Sequence, residues 1–179
     1  EGKDYKSLFV FLYNKKFNFS GFIYGQKNGA ASKLKFGNYY SSYNGCGWVA
    51  TYNALLILNK KIHPACIIRF YETRFSFVNG LSGIRINAVV SYFKKAGYKV
   101  SKLYNSKRFD NNAKKASVSI LWYGNKLSAH YVAIKWEGKG NKFIVYNESC
   151  TNTTSTKYKS ILDINKNIGG SVGVLITIK

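Results

Sequence analysis

The sequence predicts a single α+β domain, with helices in its first half and an antiparallel sheet built from its second half. Three observations carry this expectation. The run that follows Cys46 is apolar or aromatic nearly all round, as a helix at the centre of a core must be. Two further segments show helical spacing of their apolar residues. Beyond Gly97 the period falls to two, in segments rich in β-branched and aromatic residues. Helices followed by strands, instead of alternating with them, place the two kinds of element in segregated layers.

Taken in order, residues 1–40 read as extended and irregular, with aromatic-rich segments Leu8–Tyr13 and Phe17–Tyr24 separated by Gly, Asn and Lys. Phe36–Gly45 is polar and turn-like. A central helix is expected from Cys46 to about Asn59. A second runs from Pro64 to about Arg74, with proline at its first position, where the missing N–H has no partner to lose, and His63 capping it. A third spans about Ile84 to Ala96, buries Ile86, Val89, Val90 and Phe93, and ends at Gly97, the residue best suited to a left-handed cap. Strands are expected at Tyr98–Tyr104, Ser117–Tyr123, His130–Trp136, Lys142–Tyr146 and Val172–Ile178, with a hairpin turn at Gly138–Asn141. No repeat, linker or low-complexity stretch divides the chain.

Composition narrows the function classes. The chain has 179 residues, of which 46% are hydrophobic and 17% aromatic, enough for a sizeable core. No apolar run approaches the roughly 18 residues of a membrane span. The sequence begins at Glu1 and contains no Met, which suggests a domain cut from a longer chain. Lys and Arg number 28 against 7 Asp and Glu, a net charge of +21 that favours acidic partners, nucleic acid or anionic membrane surfaces. Only Arg69, Arg74, Arg85 and Arg108 are arginines, and arginine is the better residue for bidentate contacts to phosphates and bases. An acidic protein partner is therefore expected ahead of nucleic acid. Three cysteines are too few for a disulfide framework, and with two histidines and no CxxC they give no structural zinc pattern. No metal or cofactor is expected.

Cys46 is the candidate nucleophile. It lies where the Asn44–Gly45 turn meets the central helix, and a helix N-terminus supplies N–H groups and partial positive charge that favour a thiolate. Gly47 leaves room for an incoming acyl group, and the Cys46 N–H is one donor for an oxyanion. Cys66 and Cys150 read as inert: the first as a small buried hydrophobe among Ala65, Ile67 and Ile68, the second in a polar loop. His130 opens a strand and Asn147 closes the next one, so a hairpin between them brings both to one end of the sheet. There the Asn147 side-chain oxygen would accept from the imidazole and fix its tautomer. Glu148 is a second candidate for that role, although its side chain should face the opposite way. His63 is expected only as a helix cap.

These residues carry a resemblance. Asn44-Gly45-Cys46-Gly47-Trp48-Val49-Ala50-Thr51-Tyr52-Asn53-Ala54-Leu55, with Ala129-His130-Tyr131-Val132-Ala133-Ile134 and Phe143-Ile144-Val145-Tyr146-Asn147, resembles papain-like cysteine peptidases of the bacteriocin-processing type over about residues 36–150. The resemblance implies a papain-like fold, a central helix carrying the cysteine against an antiparallel sheet, and a catalytic triad of Cys46, His130 and Asn147 that cleaves a peptide or amide bond. Acyl transferases share this superfamily. The family usually carries a glutamine six residues before the cysteine, whose amide completes the oxyanion hole; here that position is Tyr40, and Asn38 and Asn44 are the nearest amides. Size, charge and triad also resemble C-terminal toxin domains of bacterial polymorphic or contact-dependent inhibition systems. That resemblance implies an immunity protein as the acidic partner, and delivery from a secreted or surface protein into a reducing target cytoplasm. The competing readings are a basic binding module and a metal-independent ribonuclease that uses His130 with nearby lysines.

Overall fold

The computed structural model describes residues 2–74, 83–124, 129–166 and 171–179. Helix α1 (Gly2–Asn14) is followed by an irregular stretch, short α2 (Gly29–Lys33), a hairpin of β1 (Lys35–Phe36) and β2 (Tyr39–Tyr40), and one-turn α3 (Ser41–Asn44). The central helix α4 (Cys46–Ile57) comes next, then α5 (Pro64–Arg74) and α6 (Ile86–Lys95). The second half supplies β3 (Val100–Leu103), α7 (Phe109–Lys114), β4 (Val118–Gly124), β5 (Ala129–Glu137), β6 (Lys142–Tyr146), β7 (Thr156–Tyr158), α8 (Ile161–Lys166) and β8 (Ser171–Ile178). Six strands form one sheet in the order β3-β8-β4-β5-β6-β7, and every neighbouring pair is antiparallel. The expected α+β architecture is the observed one.

Strand alternation builds a core on each side of the sheet. Val118, Ile120, Tyr131, Ala133, Tyr146, Val174 and Ile176 face the layer of α4, α5 and α6. Leu121, Tyr123, Val132, Ile134, Phe143, Val145 and Leu175 face Phe109 and Ala113 of α7 and Ile161 and Ile164 of α8. Nine of the twelve residues of α4 are buried, among them Trp48, Val49, Ala50 and Leu55. Burying one such large side chain contributes about 1.5–3 kcal/mol, which fixes the helix, and Cys46 at its start, against β5 and β4.

The first 45 residues differ from expectation. Leu8–Tyr13 belongs to helix α1, not to an extended segment. Its buried positions Ser7, Val10 and Asn14 have helical spacing, but two of them are polar, which hides the period behind a continuous aromatic run. Phe36–Gly45 likewise holds a hairpin and a helical turn. Three buried asparagines hold this region down, two of them by an amide that both donates to and accepts from the backbone of one residue. Asn14 Nδ2 donates to the Lys35 carbonyl and its Oδ1 accepts from the Lys35 N–H, both at 2.8 Å. Asn53 of α4 clasps Ile23 at 2.7 and 2.9 Å. Asn147 takes the N–H of Gln26 at 2.9 Å. Such satisfaction is what allows polar groups inside a core.

Glu72 is a further half-buried polar group. Its Oε1 accepts from the Gly37 N–H at 2.6 Å, so it joins α5 to the β1–β2 turn, and Ser7 of α1 lies close to it. Burial outweighs these donors and pushes its carboxyl up to about 7 from 4.5. Because the folded value lies above the unfolded one, the contribution to stability is complete below about pH 4.5 and is lost as pH rises through 7. From pH 5 to pH 8 the protein should lose about 1–2 kcal/mol that Glu72→Gln retains, once partial exposure is allowed for. Urea midpoints at the two pH values measure this; parallel profiles would remove Glu72 as the source.

Candidate active site

Cys46 is the first residue of α4 and is half-buried. Gly45, which joins α3 to α4, keeps helical dihedrals (φ −80°, ψ −6°), so α4 begins as a near-continuation of the preceding turn and not after an open cap. A side chain at Gly45 could not be housed, since its Cβ would lie 2.5 Å from the Ser41 carbonyl oxygen. The backbone N–H groups of Tyr131, Gly47 and Cys46 itself lie near the sulfur and favour its anion. Burial is nonetheless the largest influence and pushes the thiol up to about 11, with the neighbouring Cys150 adding to the rise. At rest Cys46 is therefore a neutral thiol that needs a base.

Tyr131, whose N–H lies near the sulfur, directly follows His130, so the nucleophile candidate packs near the end of β5 that carries the base candidate. His130 lies near the start of that strand, opposite Tyr123 of β4, and the two rings meet edge-on with centroids 5.6 Å apart. The Tyr123 hydroxyl donates to the Glu148 carbonyl at 3.1 Å and lies within electrostatic range of both Cys46 and Cys150. His130 Nε2 lies 2.6 Å from the backbone carbonyl oxygen of Asn147. A carbonyl only accepts, so Nε2 carries the proton and the Nδ1 lone pair of the neutral ring is the available base. Burial lowers the imidazole below its ordinary 6.5, opposed by the Asn147 carbonyl and the Glu148 charge, so the ring is neutral at pH 7.

Asn147 thus sits behind His130, but through its backbone, which corrects the side-chain arrangement expected from sequence. The physical reason is its dihedral angle. At φ +63° it leaves the β5–β6 ladder after Tyr146, a left-handed turn that asparagine tolerates and that aims its carbonyl at the imidazole. Its side chain goes to Gln26 instead: Oδ1 accepts the Gln26 N–H, and Nδ2 donates to Gln26 Oε1 at 3.1 Å. Gln26 Nε2 in turn donates to the Ser41 carbonyl at 3.1 Å. Gln26 is the sole glutamine of the chain and is fully buried beside the turn that leads to Cys46. Sequence reasoning missed it because it stands 20 residues before the cysteine instead of six. Its uniqueness and the Gly25 beside it, where any Cβ would meet Asn152 and Cys150 backbone within 2.8 Å, were the available signals.

The other expected residues separate. Tyr40 is half exposed and Asn38 is exposed, with the Tyr40 ring beneath the Lys35 ammonium. Asn44 is buried, and its amide donates to the Phe36 carbonyl at 3.2 Å. Gly47 is explained by packing and not by substrate access: a Cβ there would lie 2.9 Å from Ile84 Cδ1. Cys66 is exposed on α5, contrary to the buried role expected, because it falls on the outward side of a helix whose Ala65, Ile67 and Ile68 face the core. His63 caps α5 as expected, its Nδ1 accepting from the Ala65 N–H at 3.1 Å. Glu148 accepts at Oε1 from the Tyr158 hydroxyl, away from the imidazole nitrogens. The polar approach to His130, residues 126–128, lies outside the described residues. Among the described residues no three of His, Cys, Asp and Glu gather as a metal site would require, and no helix is long and apolar enough to cross a membrane.

No family model matches the sequence, and no curated protein matches it. Among solved structures, the chain is similar to the peptidase domain of Streptococcus ComA, described as a bi-functional ABC transporter involved in a quorum-sensing pathway. The likeness has a TM-score of 0.53 at 15% sequence identity and covers 74% of this chain and 89% of that one. The chain has a papain-like fold. At that identity the likeness is one of architecture. In this papain-like frame the central helix is α4, with Cys46 at its start, and the sheet that follows carries His130 on β5, with Asn147 just past the end of the neighbouring β6.

Proposed function

We propose that the protein is a papain-like cysteine hydrolase acting on a peptide or amide bond, with Cys46 as nucleophile and His130 as general base. The observation that supports this reading is the nearness of the Tyr131 N–H to the Cys46 sulfur, taken with the Asn147 carbonyl on His130 Nε2. A thiol near Tyr131 and a neighbouring His130 ring that keeps its Nδ1 lone pair are what a thiol–imidazole pair requires. In the reaction, the Cys46 proton passes to His130 Nδ1 as the sulfur attacks the carbonyl carbon. The protonated ring then gives the proton to the leaving amine as the C–N bond breaks, leaving a thioester that water hydrolyses by the reverse proton path. Asn147 is a positioning residue here, acting through its carbonyl.

Gln26 is our candidate for the oxyanion donor, in place of Tyr40. Asn147 and Ser41 fix its amide, and a carboxamide nitrogen has a second hydrogen beyond the one given to the Ser41 carbonyl. Loss of one oxyanion donor typically costs about 10²–10³-fold in rate. Gln26→Ala should therefore lose that much activity while circular dichroism reports a folded protein; activity within about threefold of the unmodified chain would remove Gln26 from the site.

The test of the reading is digestion of a proteome-derived peptide library followed by mass spectrometry. New cleavage products are expected with the unmodified protein and none with Cys46→Ala. RNA degradation that survives Cys46→Ala but not His130→Ala would replace the hydrolase reading by the ribonuclease one. The effector-domain reading, with an immunity protein as partner, rests on the size, charge and Cys–His–Asn order of the chain; the +21 charge suits an acidic partner through steering and interface complementarity.

A further inference from the structure

We infer that helix α1 is a docking surface for an anionic lipid bilayer, an inference independent of the hydrolase reading. A helix packed on a domain ordinarily turns its apolar stripe inward. In α1 the distribution is different. Among the described side chains of α1, those buried against the rest of the protein are Ser7, Val10 and Asn14, two of them polar. The outward side carries Phe9 at 76% exposure, Leu12 at 53% and Leu8 at 39%, with Leu8 and Leu12 one turn apart and Phe9 beside them. Three large apolar side chains in one exposed cluster mark an interaction site more often than an accident of folding.

The rim of this cluster is basic. Lys6, Lys15 and Lys16 are exposed at its two ends. The Arg69 guanidinium of α5 and the Lys15 ammonium both lie against the Phe11 ring, at 5.0 and 5.7 Å from its centroid. An apolar ridge edged by cations fits a surface that is apolar below and anionic at the headgroups, and this is how interfacial helices bind. The charge argues against a second copy as the occupant, because association would press two chains of +21 together. The cluster is also a convex ridge on a single helix, which a fluid bilayer accommodates without a matching groove.

The experiment is vesicle co-sedimentation of the full chain. It compares neutral phosphatidylcholine vesicles with vesicles in which about one quarter of the lipid is phosphatidylglycerol. Binding is expected to the anionic vesicles only, to weaken with salt, and to fall at least about tenfold in the Phe9→Asp/Leu12→Asp variant. A Phe9→Trp variant, which leaves the apolar face intact, should show a blue-shifted emission with anionic vesicles relative to the unmodified protein. Equal binding by the Asp variant, or an unshifted tryptophan, would overturn the inference. So would a dimer in light scattering that the Asp variant dissolves, since a second copy would then be the occupant.

Discussion

Asn147→Ala is expected to destabilise the protein by about 3–5 kcal/mol, the largest loss of any single side chain in the site. Three effects combine. The Gln26 N–H loses its acceptor and Gln26 Oε1 loses its donor, in a place where all partners are fully buried. Each orphaned group costs about 1–3 kcal/mol. In addition, alanine at φ +63° carries left-handed strain of about 1 kcal/mol. Asn147→Gly removes the strain and keeps the loss of the amide, so urea denaturation should rank glycine above alanine by that amount. Activity separates the two possible roles of this residue. Because the contact with His130 is made by the backbone carbonyl, folded Asn147→Gly should lose no more than the roughly 10²–10³-fold that an unseated Gln26 would cost. A loss well beyond that in folded Asn147→Gly would mean that the side chain itself orients the imidazole.

The second large effect concerns the thiol and its base. With burial holding Cys46 up to about 11 and His130 below 6.5, the resting pair is thiol and neutral imidazole, not thiolate and imidazolium. The nucleophile then depends on its base throughout the neutral range. Cys46→Ala and His130→Ala should each lower kcat/KM by about 10⁴-fold or more, and the double variant should lose little beyond either single one, as groups acting as one unit do. The sign of the pH dependence follows from the same directions. Activity requires the unprotonated ring, so kcat/KM should be level through pH 7–8 and fall only on an acid limb below pH 6.5. A descending limb on the alkaline side near pH 8 would indicate an ion pair at rest instead.

Much of this was legible in the chain because the decisive elements carry strong local signals. Helix α4 is apolar all round, α5 opens on Pro64, α6 closes on Gly97 with φ +88°, and the strands alternate cleanly between two cores. Cys46, His130 and Asn147 could be placed from these elements alone, since a hairpin fixes which residues share an end of the sheet. What escaped was long-range. Helix α1 buries Ser7 and Asn14 beside Val10 and exposes Leu8, Phe9 and Leu12, which blurs the pattern that identifies a surface helix. The pairing of Asn147 with Gln26 spans 121 residues, and the left-handed turn that swaps the roles of the Asn147 backbone and side chain leaves no mark in composition. Gly47 and Cys66 were misread for a related reason: Ile84 fills the space above the glycine, and the facing of one residue on α5 depends on where that helix packs.

The central claim is that Cys46, supported by His130, is the reacting nucleophile. Mass spectrometry after exposure to a peptidyl acyloxymethyl ketone tests it most directly, because this weak electrophile needs a recognised peptide and an assisted thiol. A simple alkylating agent, by contrast, would label the exposed Cys66 regardless. The adduct is expected on Cys46, absent in His130→Ala at pH 7 and retained in Cys66→Ser. An adduct on Cys66 or Cys150 with Cys46 unmodified, or labelling of Cys46 at an unchanged rate in His130→Ala, would contradict the account.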